Sequence, residues 1–165
     1  MIFLAHGASG SATSMRPYIE GLAARGLAAK PVSLPVRKAE GVTAIYRGQV
    51  DDYRAAVIGG QSFGGRVASL LAAEAPPRAL VLLCYPLHRP GRPDDLRTAH
   101  WSSIRCPVLL LSGESDPFAR IDLLRESLAL LADAQLITYP GVGHGLLRVI
   151  DDALDRIADF VASLA

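Results

Sequence analysis

Five residues, Gly60-Gln61-Ser62-Phe63-Gly64, have the spacing of a nucleophile placed on a tight turn between a strand and a helix. A serine hydroxyl attacks a carbonyl only when a base takes its proton and when its oxygen stands clear of the chain. A strained strand-to-helix turn presents it in that way. Such a turn brings backbone segments close together, so the positions two before and two after the serine must be small, and Gly60 and Gly64 meet that demand. The same five residues also fit a glycine-rich turn used for helix packing or for phosphate binding. No lysine follows Gly64-Gly65, however, as a phosphate-binding P-loop requires.

Two later loops supply the partners that a serine nucleophile needs. Ser112-Gly113-Glu114-Ser115-Asp116-Pro117 follows an apolar run at 108–111, and Pro140-Gly141-Val142-Gly143-His144-Gly145 follows another at 135–139. Each places a side chain at the C-terminal end of a strand, the edge where ligands and catalytic groups collect in open α/β sheets. Asp116 is the expected acid and His144 the expected base. Glu114 is the rival acid, since an aspartate before proline also caps turns, and a histidine between glycines is otherwise an ordinary loop residue. The chain order Ser, Asp, His differs from the orders of the two unrelated serine-protease folds. A fourth segment, Leu4-Ala5-His6-Gly7-Ala8-Ser9, follows the first apolar run. The backbone N–H groups of Ala8 and Phe63 are the expected oxyanion hole. His6 is expected to brace this loop, and His88 and His100 have no expected chemical role.

The elements that must position these loops are legible as apolar runs at 1–5, 32–34, 55–58, 79–84, 108–111 and 135–139. Continuous rather than alternating runs predict strands covered on both faces. Helices are predicted near 15–25, 42–54, 63–75, 119–132 and 145–164, the last carrying Leu147, Ile150, Leu154, Ile157, Phe160 and Val161 as a one-sided stripe. This alternation predicts a doubly wound, mainly parallel six-stranded α/β sheet. Gly26, Pro76-Pro77 and Pro107 punctuate the pattern. Pro31 and Pro35 bracket the second strand, which places it at an edge because proline cannot donate to a ladder.

With 165 residues, half of them hydrophobic, the chain has the length and composition of a single globular domain spanning 1–165. A net charge of +1 gives no reason to expect a nucleic-acid partner. No run approaches the roughly 20 apolar residues of a membrane span. Met1 opens directly into Ile2-Phe3-Leu4-Ala5 without a basic leader, so a cytoplasmic, membrane-free protein is expected. Cys84 ends one strand and Cys106 precedes the next, about a strand length of 17 Å apart in a parallel sheet, too far for a disulfide. No linker or repeat is evident, although 88–97 is rich in proline and arginine.

With the strand, His-Gly loop, serine turn, acid loop and histidine loop in this order, nearly the whole chain resembles the α/β-hydrolase superfamily. Cys84-Tyr85-Pro86-Leu87-His88 with Pro90-Gly91 is similar, more narrowly, to a subfamily that includes dienelactone-hydrolase-like proteins and testis-expressed and histone-acetyltransferase-complex relatives. The resemblance implies a minimal core lacking the usual first two strands, with only 85–105 available as a cap. It implies a serine hydrolase of the carboxylesterase type, acting on small acyl esters through an acyl-enzyme, with no metal and no organic cofactor. Similar dienelactone hydrolases use a cysteine nucleophile where this chain has Ser62, so their substrate does not carry over. Tyr85, Leu87, Phe118 and Leu146 flank the catalytic loops and are the expected pocket wall. The segment 85–105 contains no amphipathic stretch long enough to roof it, so the site is expected to be open. The alternative is an inactive hydrolase-like module that binds or scaffolds.

Overall fold

Strands that run through the middle of a sheet, with helices on both faces, need apolar side chains on both sides. Ile2–Ala5 (β1), Val57–Gln61 (β3), Ala79–Leu83 (β4) and Val108–Gly113 (β5) meet that condition and are buried almost throughout. Ala29–Val32 (β2) and Ala134–Tyr139 (β6) are half exposed. In the computed structural model, which describes residues 1–164, these six strands form one all-parallel sheet of order β2-β1-β3-β4-β5-β6. The most exposed strands are therefore its two edges.

Alternate side chains of the strands face opposite layers. Phe3, Ile58, Leu80, Leu82, Val108 and Leu110 pack beneath Thr43–Arg47 (α2), Phe63–Glu74 (α3) and Ile121–Ser127 (α4). Ile2, Leu4, Val57, Val81, Leu109 and Leu111 pack beneath Arg16–Ala24 (α1) and Ile150–Ser163 (α5). The α5 stripe buries Leu154, Ile157 and Phe160, each contributing about 1.5–3 kcal/mol by leaving water. Among the described residues no helix is long and apolar enough to cross a membrane.

Several boundaries differ from the expected ones for local reasons. The second strand is Ala29–Val32 rather than 32–34: Pro31 lies inside it opposite Leu4, tolerated because this strand is an edge, and Val32 is its one buried residue. The predicted helix at 42–54 stops at Arg47: Gly48 caps it, and the chain tightens into turns with Gln49 N–H donating to the Tyr46 carbonyl and Val50 N–H to the Arg47 carbonyl. Asp52 in a left-handed conformation (φ +37°) then starts a separate short turn at Tyr53–Ala55. The third and fifth strands run beyond their apolar runs, through Gly59-Gly60-Gln61 and Ser112-Gly113. At Gly59 a Cβ would lie 2.0 Å from the carbonyl oxygen of Val81, so no side chain fits there.

Beside Gly59, β1 and β3 are bridged by a side chain. The buried Tyr46 hydroxyl of α2 accepts from the Gly59 N–H at 2.9 Å. Its oxygen lies 2.8 Å and 2.7 Å from the carbonyl oxygens of Phe3 and Gly59, to either of which it can donate. Cys84 and Cys106 are free thiols, both buried, and burial pushes them up to about 12 and about 11.

Candidate functional site

Ser62 joins β3 to α3 in a conformation that an L-residue rarely adopts, φ +49° and ψ −114°. The packing around it explains the glycines. A Cβ at Gly60 would lie 2.5 Å from the Ala5 carbonyl oxygen, and one at Gly64 would meet the Ala5 and His6 carbonyl oxygens at 2.5 and 2.6 Å. The start of α3 thus rests directly on the end of β1, which brings the His-Gly loop against the serine.

The Ser62 hydroxyl donates to His144 Nε2 at 2.7 Å, and His144 Nδ1–H donates to Asp116 Oδ2 at 2.7 Å. Because the carboxylate only accepts, the proton of the neutral ring resides on Nδ1 and Nε2 is left free to accept from serine. The Asp116 side chain is fully buried, and its other oxygen accepts the Phe118 N–H at 2.8 Å. The Phe118 ring lies 4.3 Å from the imidazole at a 30° tilt, which limits the rotation of the ring. The acid and histidine loops are themselves joined, with Ser115 N–H donating to the Val142 carbonyl at 2.9 Å. A Cβ at Gly113 would lie 2.1 Å from that same carbonyl oxygen. Glu114 is turned elsewhere: its Oε1 accepts from Thr138 Oγ1 at 2.7 Å and pairs with Arg125 at 3.4 Å.

Ala8 and Phe63 border the same cavity as Ser62, and among the described residues their N–H groups donate no hydrogen bond. Phe63 is the first residue of α3, where N–H groups have no partner within the helix. His6 is buried; its Nε2 accepts the Leu34 N–H at 3.1 Å while Nδ1–H donates to the Gly7 carbonyl at 2.8 Å. It thereby ties the loop after β1 to the chain leaving β2.

The cavity holds about 1190 Å³ and is bordered by Ser62, His144 and Phe118. Tyr85, Leu87 and Leu146 correct the expected pocket wall: all three are at most 1% exposed and none lines it. Tyr85 and Leu87 point into the core beneath α3 and α4, and Pro86 between them faces the cavity. Leu146 packs with Met15 and Tyr18 in the opposite layer. Arg66, Arg89 and Arg97 line the cavity and were not anticipated. Arg66 could have been found one helical turn after Ser62, and the other two lie in or at the end of the arginine-rich loop. Between β4 and β5 the only helical turn is the short one at Trp101–Ser103, so no α-helix roofs the cavity from this segment. Among the described residues no cluster of three or more His, Cys, Asp or Glu side chains is arranged to hold a metal ion.

Residues 17–156 match the family described as "Alpha/beta hydrolase domain". The chain belongs to the α/β-hydrolase family, as its parallel sheet and strand-end loops also indicate. Over 67 residues it is 42% identical to a non-heme chloroperoxidase of Burkholderia pyrrocinia, covering 40% of this chain and 23% of that protein. Over 134 residues it is 32% identical to an uncharacterized protein of Mycobacterium tuberculosis, covering 70% of this chain and 47% of that one. The chain thus spans about half or less of the length of these curated relatives. The crystal structure of a monoacylglycerol lipase from Paleococcus ferrophilus superposes with a TM-score of 0.84 over 99% of this chain and 94% of that one, at 14% identity, a likeness of fold.

Proposed function

We propose that this chain is a serine hydrolase that cleaves small carboxylic esters through an acyl-enzyme. The observation that carries the reading is the hydrogen-bonded series from Ser62 through His144 to Asp116, with both links at 2.7 Å.

In the first half-reaction the Ser62 oxygen attacks the ester carbonyl carbon while its proton passes to His144 Nε2. The carbonyl oxygen becomes an oxyanion facing the N–H groups of Ala8 and Phe63; the loss of one such donor in a related site costs about 3–4 kcal/mol. Collapse breaks the bond to the leaving alcohol, which takes the proton from His144. Water then attacks the acyl-enzyme, His144 takes its proton, and collapse releases the acid as His144 returns a proton to Ser62. Asp116 holds the imidazole in the tautomer this sequence needs and stabilises its cation.

A fluorophosphonate probe tests the reading. Labelling confined to Ser62, lost in Ser62→Ala together with hydrolysis of an activated ester, is the expected result. An unlabelled, folded protein would instead be the inactive binding module.

A further inference from the structure

The chain as a whole is almost neutral, with 17 Lys and Arg against 16 Asp and Glu. The cavity containing Ser62 is not. Its wall includes Arg37, Lys38, Arg66, Arg89 and Arg97 and a single carboxylate, Glu40. Glu40 is taken up by Arg66 at 2.6 Å, and Arg66 Nε remains buried without a partner. Neither Arg89 nor Arg97 forms an ion pair with a carboxylate among the described residues.

These guanidinium groups are held together against their own repulsion. Partial burial, and then the neighbouring Arg66 and Arg89, keep Arg97 below the usual arginine range. The backbone that presents Arg97 is fixed at both polar groups: its N–H donates to the Leu87 carbonyl at 2.7 Å, and its carbonyl accepts from the Tyr85 hydroxyl at 2.6 Å. The Arg89 end is fixed by His88. The His88 N–H donates to the Phe118 carbonyl at 3.0 Å, its Nδ1–H to the Arg89 carbonyl at 2.8 Å, and its Nε2 accepts the Arg120 N–H at 3.0 Å. These bonds give the arginine-bearing loop a defined backbone, and the planar fork of arginine matches a carboxylate with two parallel hydrogen bonds.

We propose that Arg97, flanked by Arg66 and Arg89, binds a carboxylate on the substrate, so that the esters this enzyme prefers are anionic half-esters of dicarboxylic acids rather than neutral ones. This rests on the serine-hydrolase reading above and adds the substrate class. The cations border the same cavity as the serine, so the recognised charge belongs to the molecule being cleaved.

The test compares mono-p-nitrophenyl glutarate with p-nitrophenyl valerate, equal in chain length and differing in a terminal carboxylate. In the parent enzyme kcat/KM for the half-ester is expected to exceed that for the neutral ester by about tenfold or more, the scale of one charge-assisted hydrogen bond. That ratio is expected to collapse towards one in Arg97→Gln, to fall in part in Arg89→Gln, whose exposed side chain leaves folding unaffected, and to be retained largely by Arg97→Lys. A parent ratio of one or less, or a ratio unmoved by both glutamine variants, overturns the proposal. If neither ester is cleaved while the protein is folded, the hydrolase reading fails by itself, and calorimetric titration with glutarate then decides the anion site. Binding weakened by Arg97→Gln supports it, and binding that is absent or indifferent to Arg97 overturns it.

Discussion

Replacing Ser62 by glycine and, separately, by alanine isolates the strain at the turn. Both variants lose the hydroxyl and its bond to His144, so the contribution of that bond cancels in the comparison. What remains is the backbone. At φ +49° and ψ −114° alanine keeps its Cβ in a region that L-residues avoid, whereas glycine reaches the mirror-image β region freely. Holding a non-glycine residue there costs about 1–3 kcal/mol, and glycine gives back about 0.5–1 kcal/mol through the greater freedom of the unfolded chain. Ser62→Gly is therefore expected to be more stable than Ser62→Ala by about 1 kcal/mol, or about 2–4 °C in Tm for a chain of this size. Urea titration of both variants, read at equal m-values, measures it. If glycine is no more stable than alanine, the turn is not strained and the geometric argument for the serine's presentation fails.

Asp116→Asn is expected to slow ester hydrolysis by about 10⁴-fold, by favouring the wrong imidazole tautomer, while Glu114→Gln changes it little; pre-steady-state acylation rates compare them. Gly64→Ala places a methyl group 2.5 Å from the rigid Ala5 carbonyl, which must displace the start of α3 by the better part of an ångström. Activity is expected to drop about 10²-fold with a stability loss of about 1–3 kcal/mol, as kcat and urea denaturation would show. His100 donates to Ser69 from Nε2, and burial followed by Arg66 lowers it from 6.5 to about 4. The unfolded chain then binds this proton more readily than the folded one, so the contribution is complete above pH 6.5 and lost as pH falls towards 4; Tm in His100→Gln is expected to fall less over that window. Because no α-helix roofs the cavity from 85–105, each added methylene should contribute well under about 0.8 kcal/mol. A p-nitrophenyl series from two to twelve carbons is expected to show no steady rise in kcat/KM.

What could be read from the sequence follows from how local each signal is. The central strands were legible because burial on both faces leaves no choice but apolar residues. The second strand was misplaced by a few residues because an edge with one buried position carries almost no apolar pattern. The structure brings Ser62, Asp116 and His144 together. The glycines around Ser62 and Gly113 before Asp116 leave no room for a side chain, whereas Gly143 and Gly145 beside His144 have space for one, so the histidine was marked by its place after a strand rather than by its glycines. Tyr85, Leu87 and Leu146 were misassigned on the strength of being near catalytic loops in sequence, which says nothing of the side on which a side chain emerges. Arg66, Arg89 and Arg97 come from a helix and a separate loop, and only folding shows that they share a wall.

The Tyr46 hydroxyl between β1 and β3 acts at a distance from any reacting atom. Ala8 leaves the sheet three residues after Ala5, and Phe63 two residues after Gln61, so the two oxyanion donors proposed above are carried by the two strands that this hydroxyl spans. It serves as a shim, setting the gauge between two rails from behind the sheet. Substitution by phenylalanine would remove the shim without touching the cavity wall, leaving the Gly59 N–H to find a new acceptor. The spacing of the two strand ends that carry the proposed oxyanion donors is in this sense set from α2, a helix outside the cavity wall.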